Sequence, residues 1–99
     1  MAGTPLIEEE LTIVDRQGLH ARPAAGIVGI ASRFDAVLTL RRADGEAETA
    51  DCRSILSLLM LAAPCGSRLI LHAEGREAEA AAGELRKFFA EGFGENEDM

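Results

Sequence analysis

The spacing of apolar residues along this chain switches back and forth between the period of a strand and that of a helix. Residues 36–41 and 68–73 place an apolar side chain at every second position, which predicts strands with one buried face. Apolar residues instead recur at intervals of three and four over 22–34, 55–62 and 78–89, which predicts amphipathic helices. Both kinds of element must therefore share one small core in a chain of 99 residues.

The full order of predicted elements is β-α-β-β-α-β-α. A first strand is predicted over 8–15, and the turn at Asp44-Gly45 predicts a hairpin with a short partner strand near 47–50. Helices that cover one face of a mainly antiparallel sheet satisfy the packing rules for this order, so we predict an α+β fold. We expect a single domain over residues 1–99 that is ordered over about 8–95.

The chain is acidic, with a net charge of −7 from 17 acidic and 10 basic residues, and it has no Tyr or Trp. The negative charge disfavours a general nucleic-acid binder, whose affinity comes mainly from neutralised phosphates, and the chain lacks the Tyr and Trp rings on which bases could stack. The longest apolar run, Leu58–Cys65, is too short for a membrane span, and the first ten residues lack a signal-peptide pattern. We expect a cytoplasmic protein without membrane insertion, and a monomer. The acidic end of the chain, from Gly92 to Met99, is expected to fray.

Three further residues have reactive side chains, but we do not predict a catalytic or ligand-binding role for them. Cys52 and Cys65 have neither CxxC spacing nor the His partners of a zinc site, so we predict buried or incidental thiols and no metal or other cofactor. His72 alternates with apolar neighbours inside the 68–73 strand, so it is predicted to be a structural histidine.

The segment Gly18-Leu19-His20-Ala21-Arg22-Pro23-Ala24 places a histidine in the turn just before a helix. Pro23 marks the helix start, because its missing N–H falls where helix donors have no internal partner. A helix N-terminus favours a bound phosphate and disfavours imidazolium, so a neutral His20 could accept a phosphoryl group directly. The guanidinium of Arg22 could pair with the phosphate oxygens. Residues 16–42 also carry five arginines against one aspartate. A surface loop histidine remains the alternative on arrangement alone.

The string Gly-Leu-His-Ala-Arg-Pro-Ala resembles the phosphorylation site of the HPr family, the histidine phosphocarriers of the phosphoenolpyruvate-dependent phosphotransferase system. Similarity continues at residues 53–58, 65–70, 73–75 and 92–95. The resemblance implies an open-faced β-sandwich, in which three helices cover one face of a four-stranded antiparallel sheet. It also implies that His20 takes a phosphoryl group from phosphorylated Enzyme I on Nδ1 and passes it to an Enzyme IIA domain. Such a protein is a stoichiometric carrier and not a turnover enzyme.

The segment Arg53-Ser54-Ile55-Leu56-Ser57-Leu58 is similar to the regulatory serine segment of the same family. Ser54 is predicted to be the N-cap of the second helix, and the resemblance implies that HPr kinase/phosphorylase modifies it in some bacteria. The helical spacing places Ile55 in the core-facing stripe, whereas Leu56 and Met60 form a second apolar set that points away from it. This second set favours partner docking over a core cap, and Ile55 beside it is a further candidate docking residue. A phosphate on Ser54 would stand beside this set, so it would retain the fold and impair docking.

The sequence departs from many HPr proteins in two places. A Lys is common about two helical turns beyond the histidine, where this chain has Gly29 and Ser32 followed by Arg33, which weakens the expectation of basic docking contacts. The hairpin over 36–50 also looks longer, which leaves its register open. A nitrogen-related HPr paralogue, acting as a phosphorylation-dependent protein-binding module, is the alternative function. A ferredoxin-like nucleic-acid or metal module shares the element order but lacks the residues.

Overall fold

Alternating apolar residues build a four-stranded antiparallel sheet in the computed structural model, which describes residues 6–45 and 48–94. In chain order the strands are β1 (Leu6–Thr12), β2 (Val37–Arg42), β3 (Ala50–Asp51) and β4 (Arg68–Glu74). Their spatial order is β1-β4-β2-β3, so β4 lies between the first two strands of the chain. The register pairs Leu11 with Leu69 and Leu40 with Leu71, which puts apolar side chains of neighbouring strands on the same face.

Three helices cover that apolar face. They are α1 (Ala21–Ala31), α2 (Ile55–Leu59) and α3 (Ala78–Ala90). The alternation predicted for β2 and β4 is confirmed, because every second residue is buried and the others are exposed or half-buried. Each helix buries one stripe of side chains against the sheet, and these side chains form a single core with those of the strands. The largest fully buried side chains of this core include Ile13, Ile27, Leu38, Leu40, Leu58, Leu61, Leu69, Leu71 and Leu85. The predicted fold, with helices on one face of an open antiparallel sheet, is confirmed.

Three predicted boundaries differ from the structure. β1 ends at Thr12 and not at residue 15, so that Asp15 lies in the loop that leads to α1. The weak strand predicted near 47–50 is observed at Ala50–Asp51, and residues 46 and 47 lie outside the described residues. α2 stops at Leu59, because Ala62 has a left-handed φ of 50° that no helix continues. Ala62 is therefore exposed, and the prediction that it extends the buried stripe is wrong.

The predicted fraying from Gly92 is wrong for the first three residues of that segment. Gly92, Phe93 and Gly94 all adopt a left-handed φ, of 64°, 61° and 74°, and form a short turn that buries Phe93. The Phe93 ring lies 4.9 Å from the ring of Phe89 and 5.4 Å from that of Phe88, measured between centroids. Aromatic burial thus holds the chain against α3 after the helix ends. Residues 95–99, and with them the predicted acidic tail over 96–99, lie outside the described residues.

Candidate functional site

His20 is the N-cap of α1, as its position before the helix predicts. Its backbone is extended, with φ −103° and ψ −170°, and its side chain makes no capping hydrogen bond. The His20 carbonyl accepts from the N–H of Ala24 at 3.0 Å, and the His20 N–H donates to the Gly18 carbonyl at 3.1 Å. The main chain thus fixes the residue on both sides, and the imidazole is not used as a cap.

The loop before His20 packs against the segment that follows α2. Gly18 has φ +73°, and a Cβ added there would stand 2.7 Å from the carbonyl oxygen of Ala63 and 2.9 Å from Cα of Pro64. Only glycine tolerates both the left-handed backbone and this close approach. The next residue, Leu19, is buried and donates its N–H to the same Ala63 carbonyl at 2.9 Å. This contact fixes the position of the loop, and therefore of His20, relative to the core.

Nε2 of the His20 imidazole lies beside the loop that precedes α1. Nε2 is buried and lies 3.4 Å from Oδ2 of Asp15, while 31% of the His20 side chain is exposed. The exposed part of the ring therefore lies away from Nε2. Asp15 does not belong to the motif that singles out His20, and sequence reasoning missed it. Its only signal is an aspartate that opens a glycine-containing turn five residues before the histidine.

The first turn of α1 brings the remaining predicted groups to this end of the helix. Arg22 is exposed, whereas Pro23 is buried. The helix begins at Ala21, so Pro23 lies in its first turn, which confirms the predicted helix start. No acidic side chain stands in that turn, and the positive end of the helix dipole is left to favour an incoming anion.

Ser54 is the N-cap of α2, as predicted. Its Oγ accepts a hydrogen bond from the backbone N–H of Ser57 at 3.1 Å. The preceding residue, Arg53, donates from its guanidinium to the carbonyls of Phe34 at 2.8 Å and Ala36 at 3.0 Å. These bonds tie the start of α2 to the segment between α1 and β2, so the serine stands on a well-anchored helix start.

Leu56 and Met60, the second apolar set of α2, are exposed, as their spacing predicts. Ile55, which the spacing assigns to the core-facing stripe, is exposed as well, so that part of the prediction is wrong. Ile55 is 41%, Leu56 68% and Met60 73% exposed. α2 packs against α1, the helix that begins beside His20. These three residues, which we call the α2 patch, therefore form an uncovered apolar surface on the neighbour of the histidine-bearing helix.

The other reactive side chains do not contact His20, although the Cys65 thiol donates to the Val14 carbonyl, beside Asp15, at 3.8 Å. Cys52 and Cys65 are both free thiols; burial raises the pKa of Cys52 to about 12, with a further rise from Asp51 and an opposing effect of Arg53. His72 lies on the open face of the sheet, with Nδ1 3.4 Å from Glu8 and Nε2 3.4 Å from Glu74. That setting, in a strand between two carboxylates, fits the structural role predicted for it.

Two kinds of feature are absent from residues 6–45 and 48–94. No helix there has the length and apolar character needed to cross a bilayer. Nor does that part of the chain bring together three or more side chains of the types that hold a metal ion.

Comparison with known proteins gives consistent matches. A family model described as "PTS HPr component phosphorylation site" matches residues 7–91. Phosphocarrier protein HPr of Treponema pallidum is 37% identical over 90 residues, which cover 91% of this chain and 99% of that protein. Phosphocarrier protein NPr of Shewanella violacea is 39% identical over 75 residues, covering 76% and 79%.

A longer relative and a solved structure extend this result. The multiphosphoryl transfer protein of Haemophilus influenzae is 36% identical over 85 residues, which are 86% of this chain but only 17% of that protein. The crystal structure of HPr-C-His from Thermoanaerobacter tengcongensis superposes with a TM-score of 0.82 at 31% identity, covering 91% of this chain and 98% of the other. The fold, the residues around His20 and these matches agree, and the chain belongs to the HPr family of phosphocarrier proteins of the phosphotransferase system.

Proposed function

We propose that this chain carries a phosphoryl group on Nδ1 of His20, accepts it from phosphorylated Enzyme I and passes it to Enzyme IIA domains in sugar uptake. The observation that carries the proposal is the placement of the His20 ring at the start of α1. Nε2 is buried against Asp15 while nearly a third of the side chain is exposed, which leaves Nδ1 as the nitrogen for the reaction. The chain acts as a single domain and a monomer in the cytoplasm.

The surroundings of His20 suit a group that must arrive and leave again. The N-terminal turn of α1 offers backbone N–H groups and a positive dipole end to the phosphoryl oxygens. Arg22, exposed in the same turn, supplies a guanidinium that can pair with them. A carrier that bound its phosphoryl group in a closed pocket would trap it, so an open site with few donors favours transfer in both directions.

The α2 patch is the proposed docking surface for both partners. Ile55, Leu56 and Met60 offer apolar area without a Tyr or Trp anchor, which suits a complex that must dissociate after each transfer. The arginines between residues 16 and 42 add positive charge near His20 and favour a partner with an acidic surface.

Regulation through Ser54 is the second part of the proposal, with HPr kinase/phosphorylase as the modifying partner. A phosphate on the Ser54 hydroxyl would add up to about two negative charges at neutral pH. Those charges would lie directly before Ile55 and Leu56 in the sequence. Docking of an apolar or acidic partner surface on the α2 patch would then become unfavourable, while the fold would remain.

A nitrogen-type regulatory role is the alternative, and the similarity to NPr of Shewanella violacea favours it. In that case phosphorylated His20 selects protein partners and does not feed sugar uptake. Transfer from the phosphorylated protein to sugar-specific Enzyme IIA domains separates the two roles. Failure of that transfer, together with tight binding to a regulator, would favour the alternative.

The decisive experiment is labelling of the purified protein with phosphoenolpyruvate and Enzyme I. We expect one acid-labile phosphate per chain, and none in a His20→Ala variant. His72→Ala is the matched control, because it removes the only other histidine of the chain and should label like the wild type. Equal labelling of the His20→Ala variant would sink the proposal.

A further inference from the structure

The carboxylate of Asp15 meets the His20 ring from the loop between β1 and α1. Asp15 Oδ2 lies 3.4 Å from His20 Nε2, at ion-pair distance but without the geometry of a hydrogen bond, and the Asp15 side chain is only 13% exposed. The contact therefore acts through the charge of the carboxylate. The same oxygen accepts a 3.0 Å hydrogen bond from the backbone N–H of Gln17. The main chain therefore holds this oxygen in place whether or not the imidazole is charged. A fixed carboxylate beside one ring nitrogen favours the tautomer that carries its proton there.

We propose that Asp15 is a positioning residue for phosphoryl transfer. Its negative charge favours the neutral form of the His20 ring that carries the proton on Nε2, so that Nδ1 keeps its lone pair, and it stabilises the ring once Nδ1 carries the phosphoryl group. This inference rests on the proposed function, and it adds a residue that lies outside the Gly18–Ala24 motif.

The charge on the ring changes in the transfer step. The lone pair of Nδ1 forms a bond to phosphorus while the bond between phosphorus and the donor atom breaks, and that electron pair returns to the donor. Nε2 keeps its proton throughout, so the neutral ring becomes a positively charged one as the phosphoryl group arrives. The new charge faces the Asp15 carboxylate across 3.4 Å. In this largely shielded place, opposite charges attract more strongly than they do in open water.

Asp15 also shapes the loop, and a test must separate that role from the proposed one. Its carbonyl accepts from the N–H of Gly18 at 3.0 Å, and its carboxylate accepts from Gln17. Asp15→Asn separates the roles, because the amide oxygen can still accept from Gln17 while the negative charge is lost. Asp35→Asn is the matched control: it removes an exposed carboxylate paired with Arg76, beyond the other end of α1 and about 16 Å along the helix axis.

The experiment combines ¹⁵N NMR of the histidine rings with a phosphoryl-transfer equilibrium. In the wild type and in Asp35→Asn, we expect the neutral His20 ring to carry its proton on Nε2. In Asp15→Asn, the uncharged amide oxygen still faces Nε2, so we expect a weaker preference for the Nε2–H tautomer, and the equilibrium constant for transfer from phosphorylated Enzyme I should fall by about threefold to tenfold. Thermal unfolding should change little.

The outcomes distinguish this inference from the function on which it rests. An Asp15→Asn variant with the wild-type tautomer and the wild-type transfer equilibrium would overturn the role of Asp15. A wild-type protein that takes no phosphoryl group from Enzyme I would instead refute the proposed function, and the ring spectra would still decide whether Asp15 sets the tautomer.

Discussion

Replacing Gly18 by alanine tests whether the contact between the histidine loop and the segment after α2 holds the site together. The new Cβ would stand 2.7 Å from the Ala63 carbonyl oxygen and 2.9 Å from Cα of Pro64, both main-chain atoms that no rotamer change can move aside. The loop would have to lift, and the 2.9 Å hydrogen bond from the Leu19 N–H to that carbonyl would weaken or break.

The magnitude combines three costs and one gain. A left-handed φ of +73° costs alanine roughly 1–2 kcal/mol relative to glycine, and loss of one backbone hydrogen bond costs about 1 kcal/mol more. The reduced entropy of the unfolded chain returns about 0.4–1 kcal/mol, and the close approach adds strain. We expect the free energy of unfolding to fall by about 2–4 kcal/mol, which in a domain of this size lowers Tm by roughly 10–25 °C.

Gly66→Ala is the matched control for this substitution. Gly66 also has a left-handed φ, of +92°, but a Cβ there meets nothing within 4 Å. It should therefore lose only the conformational contribution, roughly 1–2 kcal/mol before the unfolded-state offset. The chain has no Trp or Tyr, so urea unfolding is best followed by far-UV circular dichroism. Equal destabilisation by the two substitutions would refute the idea that the close approach at Gly18 matters.

Three further predictions concern docking, regulation and thiol chemistry. Leu56→Ser should raise KM for transfer from Enzyme I with little change in kcat. The control is Leu6→Ser, which replaces a leucine of similar exposure on β1 and should leave both constants unchanged. Identical kinetics of the two variants would contradict docking on the α2 patch. Ser54→Asp should slow transfer from Enzyme I while the circular dichroism spectrum stays that of the wild type, and unaltered transfer would count against control at Ser54. Because burial raises the pKa of Cys52 from 9.0 to about 12, its neutral thiol stabilises the fold below pH 9, and this contribution is lost as the pH rises toward 12. Iodoacetamide at pH about 8.5 should therefore alkylate exposed Cys65 and spare Cys52 in the native protein, as read by mass spectrometry, and rapid modification of both would show that Cys52 is not shielded.

The features that the sequence predicts well are those with a local cause. The alternation in 36–41 and 68–73 determines which face of β2 and β4 is buried, and the capping positions of His20 and Ser54 follow from the residues beside them. The features that it does not predict depend on contacts between distant segments. The approach of Gly18 to Ala63 joins parts of the chain that are 45 positions apart, and no periodicity encodes it.

Some predictions fail for a different reason: the tertiary structure overrides a regular sequence pattern. Ala62 continues the helical spacing of α2 and yet adopts a left-handed φ of 50°, since the chain must turn there toward β4. Phe93 stands in a polar, glycine-rich segment that predicts fraying, but its ring packs against Phe88 and Phe89. Asp15 has only a turn signal and lies outside the motif around His20, so its contact with His20 becomes visible only when the loop is folded.

The two edges of the sheet differ in what they offer to a strand of another molecule. One edge is β1, seven residues long, whose open side could pair with a strand of another molecule. It carries three consecutive glutamates, Glu8, Glu9 and Glu10, so antiparallel addition of a second copy would align like charges. The opposite edge is β3, which has only two residues and offers little backbone to pair with. The charge of β1 and the short length of β3 therefore both disfavour edge-to-edge aggregation. Neutralising the three glutamates would remove the contribution of the β1 edge.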